Sequence, residues 1–172
     1  KVWSYSNQDA VELFLNGKTL GIKKRVPLGH MQWNVPFEPG LLTAVAYKNG
    51  KKTATTFVRT AGDPSGLQLG ADRELIKADG CDLSFITIDI TDARGTVVPY
   101  ADNLIRVQVK GGKLLGLCSG NPESHADPSG PSMAAFNGKL LAIIQSDEKP
   151  GKIEVKASAT GLAPQTLMLT KK

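Results

Sequence analysis

The sequence predicts an all-β chain folded as two small β-sandwich domains in tandem. Three observations carry that reading. Three Asn-Gly pairs, Asn16-Gly17, Asn49-Gly50 and Asn137-Gly138, lie between apolar runs. A type I′ hairpin turn needs φ > 0 at both central positions, which Asn tolerates and Gly accepts freely. Apolar residues also recur with period two, the signature of strands with one buried face, and no stretch sustains the 3.6-residue period of a helix.

Residues 1–60 read as six strands: 2–6, 11–16, 18–25, 30–36, 41–48 and 51–59. Val11, Leu13 and Leu15 alternate with Glu12, Phe14 and Asn16; Leu42, Ala44 and Ala46 alternate with Thr43, Val45 and Tyr47. Pro27, Pro36 and Pro39-Gly40 punctuate the strands. Thr60 to Gly66 is turn-rich and nearly free of apolar side chains, as a linker is, and the charge balance changes sign there. Residues 1–62 hold nine Lys/Arg against three Asp/Glu (+6), and residues 63–172 hold twelve against thirteen (−1). The expected domains are therefore 1–62 and 63–172.

In the second domain Ile86, Ile88 and Ile90 alternate with Thr87, Asp89 and Thr91, and Asp92-Ala93-Arg94-Gly95 supplies a turn. Ile105, Val107 and Val109 form the next apolar row up to Gly111-Gly112, and 114–118 is a short strand. A hairpin is expected over 134–146 around Asn137-Gly138, then a strand with Ile153, Val155 and Ala157 inward, then Leu167 and Leu169. Seven or eight short strands make this an immunoglobulin-like sandwich in expectation. Residues 119–133 are too polar and Pro-rich for a strand and read as a long surface loop. The halves share no sequence repeat.

Composition narrows the function classes. An apolar fraction of 41% suits a packed core. No apolar run approaches the roughly 18 residues of a membrane helix, so no membrane partner is expected. The net charge of +5 includes one short basic run, Lys23-Lys24-Arg25, with no recognition helix or RNA-stacking motif beside it, so no nucleic-acid partner is expected either. The opening Lys1-Val2-Trp3 runs straight into strand-like sequence and reads as a cut inside a longer protein. Cys81 and Cys118 show no metal spacing; they either pair or stay as buried free thiols.

Catalytic sets are hard to assemble. Ser119, His125 and Asp127 share one flexible loop with no nucleophile elbow, whereas a triad needs rigid support and an oxyanion hole. His30 and His125 fall in different domains, so no His pair can hold a metal. Asp79, Asp82, Asp89 and Asp92 cluster near turns, where Asp is favoured for local backbone bonding rather than for calcium. Glu12, Glu38, Glu74, Glu123, Glu148 and Glu154 sit on strand exteriors or loops, not across a cleft as glycosidic hydrolysis requires. No catalytic residue, metal or cofactor is expected. Trp3, Tyr5, Trp33, Phe37 and Tyr47 crowd the small first domain, where large rings usually fill the core. Trp3 and Trp33 are the candidate carbohydrate-binding residues, provided both are exposed and coplanar.

Specific motifs add a family. Tyr5 to Gly21, read as Tyr-Ser-Asn-Gln-Asp-Ala-Val-Glu-Leu-Phe-Leu-Asn-Gly-Lys-Thr-Leu-Gly, closely resembles a signature of the β-sandwich domain that follows the catalytic barrel in glycoside hydrolase family 2 enzymes, chiefly bacterial β-galactosidases. Trp33 to Gly40, Leu42 to Tyr47 and Thr60 to Gly62 continue the match. The second half resembles the domain that usually comes next, through Leu69 to Arg73, Ala78 to Phe85, Asp92 to Gly95, Val98-Pro99, Ala101 to Asn103, Gly116 to Pro122, Ala135 to Lys139 and Gly161-Leu162. Ala78 to Pro99 is also similar to invasin-type immunoglobulin-like repeats. The resemblance implies a non-catalytic C-terminal accessory region whose partner is the catalytic barrel of the same parent chain. It implies export to the periplasm or cell surface of a bacterium. The family's catalytic glutamates lie in the barrel, and no position here matches them. The rival readings are a carbohydrate-binding module and an adhesion-type immunoglobulin-like array.

Overall fold

The computed structural model describes residues 1–172, which divide into unit 1, Lys1–Thr60, and unit 2, Ala61–Lys172. Every regular element is a strand. The division falls two residues before the boundary expected from composition.

Unit 1 holds β1 (Val2–Ser4), β2 (Ala10–Leu15), β3 (Lys18–Lys24), β4 (Met31–Trp33), β5 (Leu41–Lys48) and β6 (Lys51–Arg59). β3-β2-β5-β6 form a four-stranded antiparallel sheet, and β1 pairs with β4 as a second, two-stranded layer. The Asn-Gly turns behave as their chemistry requires: Asn16 and Gly17 have φ of 51° and 81°, Asn49 and Gly50 of 50° and 73°. Val11, Leu13, Met31 and Trp33 are the buried core, with Val2, Leu20, Val35, Leu42, Ala44 and Ala46 packed against it. β1 and β4 are shorter than expected. Ser6 closes a turn by accepting the Gln8 N–H, and Pro36 has no N–H to extend the pairing beyond β4.

Unit 2 holds β7 (Gly66–Ala71), β8 (Leu75–Ile76), β9 (Leu83–Thr91), β10 (Leu104–Lys110), β11 (Lys113–Cys118), β12 (Ser132–Ala134), β13 (Lys139–Gln145), β14 (Gly151–Ala159) and β15 (Gln165–Lys171). One sheet runs β11-β13-β9-β7; the other runs β12-β10-β14-β15-β8, with only β8 parallel to its neighbour. Ile86, Ile88, Ile90, Leu140, Ala142 and Ile144 from the first sheet meet Ile105, Val107, Ile153, Val155, Ala157 and Leu169 from the second in one core. The inward rows read from the alternation are the buried rows.

Two expectations need correction. Residues 134–146 are not a hairpin of two paired strands. Phe136 and Lys139 do bridge across Asn137 (φ 51°) and Gly138 (φ 75°), but β12 pairs with β10 while β13 pairs with β9 and β11. The turn is fixed from outside: the Gly138 N–H donates to Ala101 O, and Gly138 O accepts from Ile90 N–H. The chain crosses between sheets there. Second, Cys81 and Cys118 are free and exposed, not buried. Cys81 sits in a turn, and Cys118 lies on the outer face opposite Leu141.

Candidate functional site

The two candidate tryptophans are separated by register. Val2 lies opposite Trp33 and Trp3 opposite Gln32, so successive residues on these short strands face opposite ways. Trp33 is 4% exposed in the core. Its indole N–H donates to Gly21 O at 3.2 Å, and the Lys23 ammonium lies 5.5 Å from the ring centroid. No ring face is left for a sugar. Trp3 is 54% exposed and donates its indole N–H to Gln32 Oε1 at 3.0 Å. Its ring centroid lies 4.4 Å from that of His30, and that of Tyr5 lies 5.6 Å from His30. The structure therefore builds a single aromatic shelf, Trp3–His30–Tyr5, in place of a two-tryptophan platform. The sequence reading named Trp3 and Tyr5 but gave His30 no part in it. The alternation of Met31, Gln32 and Trp33 was the signal, since it puts Trp33 on the apolar face and Gln32 on the other.

Phe37 is exposed, while Tyr47 is tied down: its hydroxyl donates to Glu12 Oε2 at 3.0 Å, and Thr19 donates to Glu12 Oε1 at 2.7 Å. Glu12 is thus half-buried and bonded, not a free exposed carboxylate. That hydrogen bond to Glu12 pushes the Tyr47 phenol above its ordinary value, with desolvation adding to it.

The loop residues do not form a relay. Asp127 accepts the N–H and hydroxyl of Ser129 at 2.8 and 2.7 Å, Ser119 Oγ accepts the Asn121 N–H, and His125 stands exposed in the same loop. The loop is itself pinned, with Leu117 N–H donating to Pro128 O and Val107 N–H to Pro131 O. The aspartates act as turn acceptors. Asp79 takes the N–H groups of Cys81 and Asp82, and Asp82 takes that of Lys77. Asp92, almost fully buried, takes the N–H groups of Gly62, Arg94 and Thr96. Asp89 pairs with Lys139 at 2.8 Å.

These bonds set the electrostatics. The Gly62 N–H, followed by that of Thr96, holds Asp92 below the usual carboxylate range; the Cys81 N–H does the same for Asp79 and the Lys77 N–H for Asp82. The Ser129 hydroxyl lowers Asp127, and the Lys171 ammonium lowers Asp147. Desolvation pulls Asp72 upward, yet the Phe85 N–H and the Ser84 hydroxyl together outweigh it and leave its carboxyl low. A glycosidic general acid needs the opposite shift, a carboxyl that keeps its proton near neutrality.

The chain has well-defined likenesses. Residues 67–168 match glycoside hydrolase family 2 C-terminal domain 5, and residues 1–54 match a domain of unknown function, DUF4982. The chain is 41% identical to beta-galactosidase BoGH2A of Bacteroides ovatus, over 98% of its own length and 20% of that protein. Its fold follows that of a glycosyl hydrolase family 2 member from Bacteroides cellulosilyticus, with a TM-score of 0.93 at 32% identity over 99% of this chain and 22% of the other. A beta-glycosidase from Bacteroides vulgatus gives a TM-score of 0.92 at 36% identity, over 96% and 22%. The chain spans about a fifth of the length of the curated relatives it matches.

Proposed function

The chain belongs to the glycoside hydrolase family 2 C-terminal domain 5 family, and from that premise we propose that it is a non-catalytic accessory region buttressing the catalytic barrel of a longer, β-galactosidase-like enzyme. The observation that carries this reading is the uncovered outer face of unit 1. Register puts Phe57, Thr43 and Phe14 in one row across β6, β5 and β2, and Thr55, Val45, Glu12 and Ile22 in the next. Phe57 is 61% exposed and Ile22 59%. β6 is an edge strand of nine residues, all exposed, with Val58 outward on its other side. Most of β6 is basic or threonine, but the exposed Phe57 and Val58 on this edge strand, with Ile22 on β3 of the same sheet, leave apolar surface that invites packing by another chain segment unless something covers it. The relatives, about five times longer, contain chain enough to cover it. Export to the periplasm or cell surface belongs to the same reading.

The test is made in the longer enzyme. Phe57→Asp and Ile22→Asp put charges on a face that is solvent-exposed in the isolated region. They are expected to leave the melting of the isolated region unchanged and to lower the thermal-inactivation temperature of the full enzyme. An unaltered inactivation temperature in both variants contradicts the buttress.

A second reading, a carbohydrate-binding surface, is favoured by the Trp3–His30–Tyr5 shelf. An exposed indole beside a side-chain amide, here Gln32, offers a pyranose both a stacking face and a hydrogen-bonding group.

A further inference from the structure

Gly70, near the end of β7, has no left-handed φ, and a Cβ added there would meet open space, so neither backbone conformation nor local packing requires a glycine at this position. A glycine inside a strand costs about 0.5–1 kcal/mol relative to alanine and often marks a place where a ligand or another backbone comes close. It also lies within the Leu69-Gly70-Ala71-Asp72-Arg73 run.

The register shows what surrounds it. On the outer face of β11-β13-β9-β7, Thr87 stands between Gly70 and Leu141, and Asp89 stands between Gln68 and Lys139. Phe85 is the next outward residue along β9 and is 38% exposed. The missing side chain at Gly70 leaves a shallow trough of about 400 Å³ lined by Gln68, Asp72, Phe85, Thr87, Asp89 and Leu141, within the size range of small-molecule sites.

We propose that this trough binds a pyranose unit of a neutral oligosaccharide. The lining has the two properties such a ligand needs. Phe85 and Leu141 give an apolar wall against which the C–H face of a sugar ring packs. Gln68 and Thr87, both exposed, bring an amide and a hydroxyl to hydrogen-bond its hydroxyls. The charges are internally balanced: Asp89 is paired with Lys139 at 2.8 Å, and Asp72 lies 3.7 Å from Arg73. No unpaired cation waits for a carboxylate or phosphate, so a neutral sugar fits better than a uronate. The site is built from residues of unit 2 alone, whereas the outer face and the Trp3 shelf are built from residues of unit 1. Its failure leaves the buttress reading intact.

The experiment is a two-dimensional amide NMR titration of this chain with galactotetraose and cellotetraose, and with glucuronic acid and inorganic phosphate as charged probes, up to about 20 mM. Binding in the millimolar range is expected for a neutral tetraose, with shifts confined to Gln68–Asp72, Phe85–Asp89 and Leu141. Gly70→Leu fills open space, so it is expected to fold and to weaken binding roughly tenfold or more, and Phe85→Ala to weaken it similarly. Trp3→Ala is expected to change nothing. Silence with both neutral probes overturns the proposal, as does a response confined to Trp3, Tyr5 and His30, or stronger binding of the charged probes. Undiminished binding in a folded Gly70→Leu variant also overturns it. If that variant lowers the stability of the longer enzyme instead, the trough is a packing surface between domains.

Discussion

Trp33→Ala is expected to unfold unit 1, while Trp3→Ala leaves it folded. The core cluster of unit 1 has four buried members, Val11, Leu13, Met31 and Trp33, and Trp33 is the largest of them. Truncating a buried Trp costs about 3–5 kcal/mol through lost burial and the cavity left behind. A unit of some sixty residues has about 3–9 kcal/mol of stability in total. The loss therefore consumes most of it. The change also leaves Gly21 O without its indole donor. Trp3 is more than half exposed, so its removal sacrifices one exposed hydrogen bond and a ring contact, together within about 1 kcal/mol. Amide dispersion of unit 1 and denaturant titration separate the two variants. Equal destabilisation by both would mean that Trp33 does not hold the core together.

Gly138→Ala is expected to destabilise unit 2 far more than Gly17→Ala destabilises unit 1. Both glycines follow Asn in a tight turn and both have left-handed φ, 75° and 81°. That shared feature costs an L-residue about 1–2 kcal/mol. Their surroundings differ. A Cβ at Gly17 meets nothing, whereas at Gly138 it falls 2.3 Å from Val98 O and 3.1 Å from Val98 C. Those atoms belong to a backbone stretch that is itself bonded, with Val98 N–H donating to Ile90 O. Relief requires moving the turn, which strains the bonds from Gly138 N–H to Ala101 O and from Ile90 N–H to Gly138 O. The expected cost is about 3–5 kcal/mol at Gly138 and about 1–2 kcal/mol at Gly17, read from urea midpoints. Similar costs at both positions would show that the two turns are held alike.

The contrast between the two turns also explains what could be read in advance. Asn-Gly fixes a local backbone shape, so the turns at 16–17, 49–50 and 137–138 were all legible. Whether the flanking strands then pair depends on what grips the turn from outside, here Ala101 and Ile90, which lie over thirty residues away. The Ile86, Ile88, Ile90 row was legible because a strong period-two pattern has only one burial solution. β7 was missed because Leu67 and Leu69 are separated by Gln68 and followed by Gly70, a weak strand signal beside a turn-rich linker. β8 has two residues and is held only by its parallel pairing with β15. On the site, composition ranked both tryptophans together, and only the Val2–Trp33 register sent one inward and the other out. His30 joined the shelf through tertiary placement, which no spacing revealed. The trough at Gly70 was invisible for the same reason: the sequence shows a glycine, and only the structure shows the empty space above it.

The most direct measurement is hydrolysis of a nitrophenyl β-galactoside by this chain purified on its own. Every aspartate with a displaced titration is held ionised by backbone or side-chain donors, and Glu12 is occupied by Tyr47 and Thr19. Release of nitrophenol is expected to stay at the buffer rate at any chain concentration. Saturable release that rises in proportion to the chain would place acid and nucleophile within these 172 residues and contradict the accessory role.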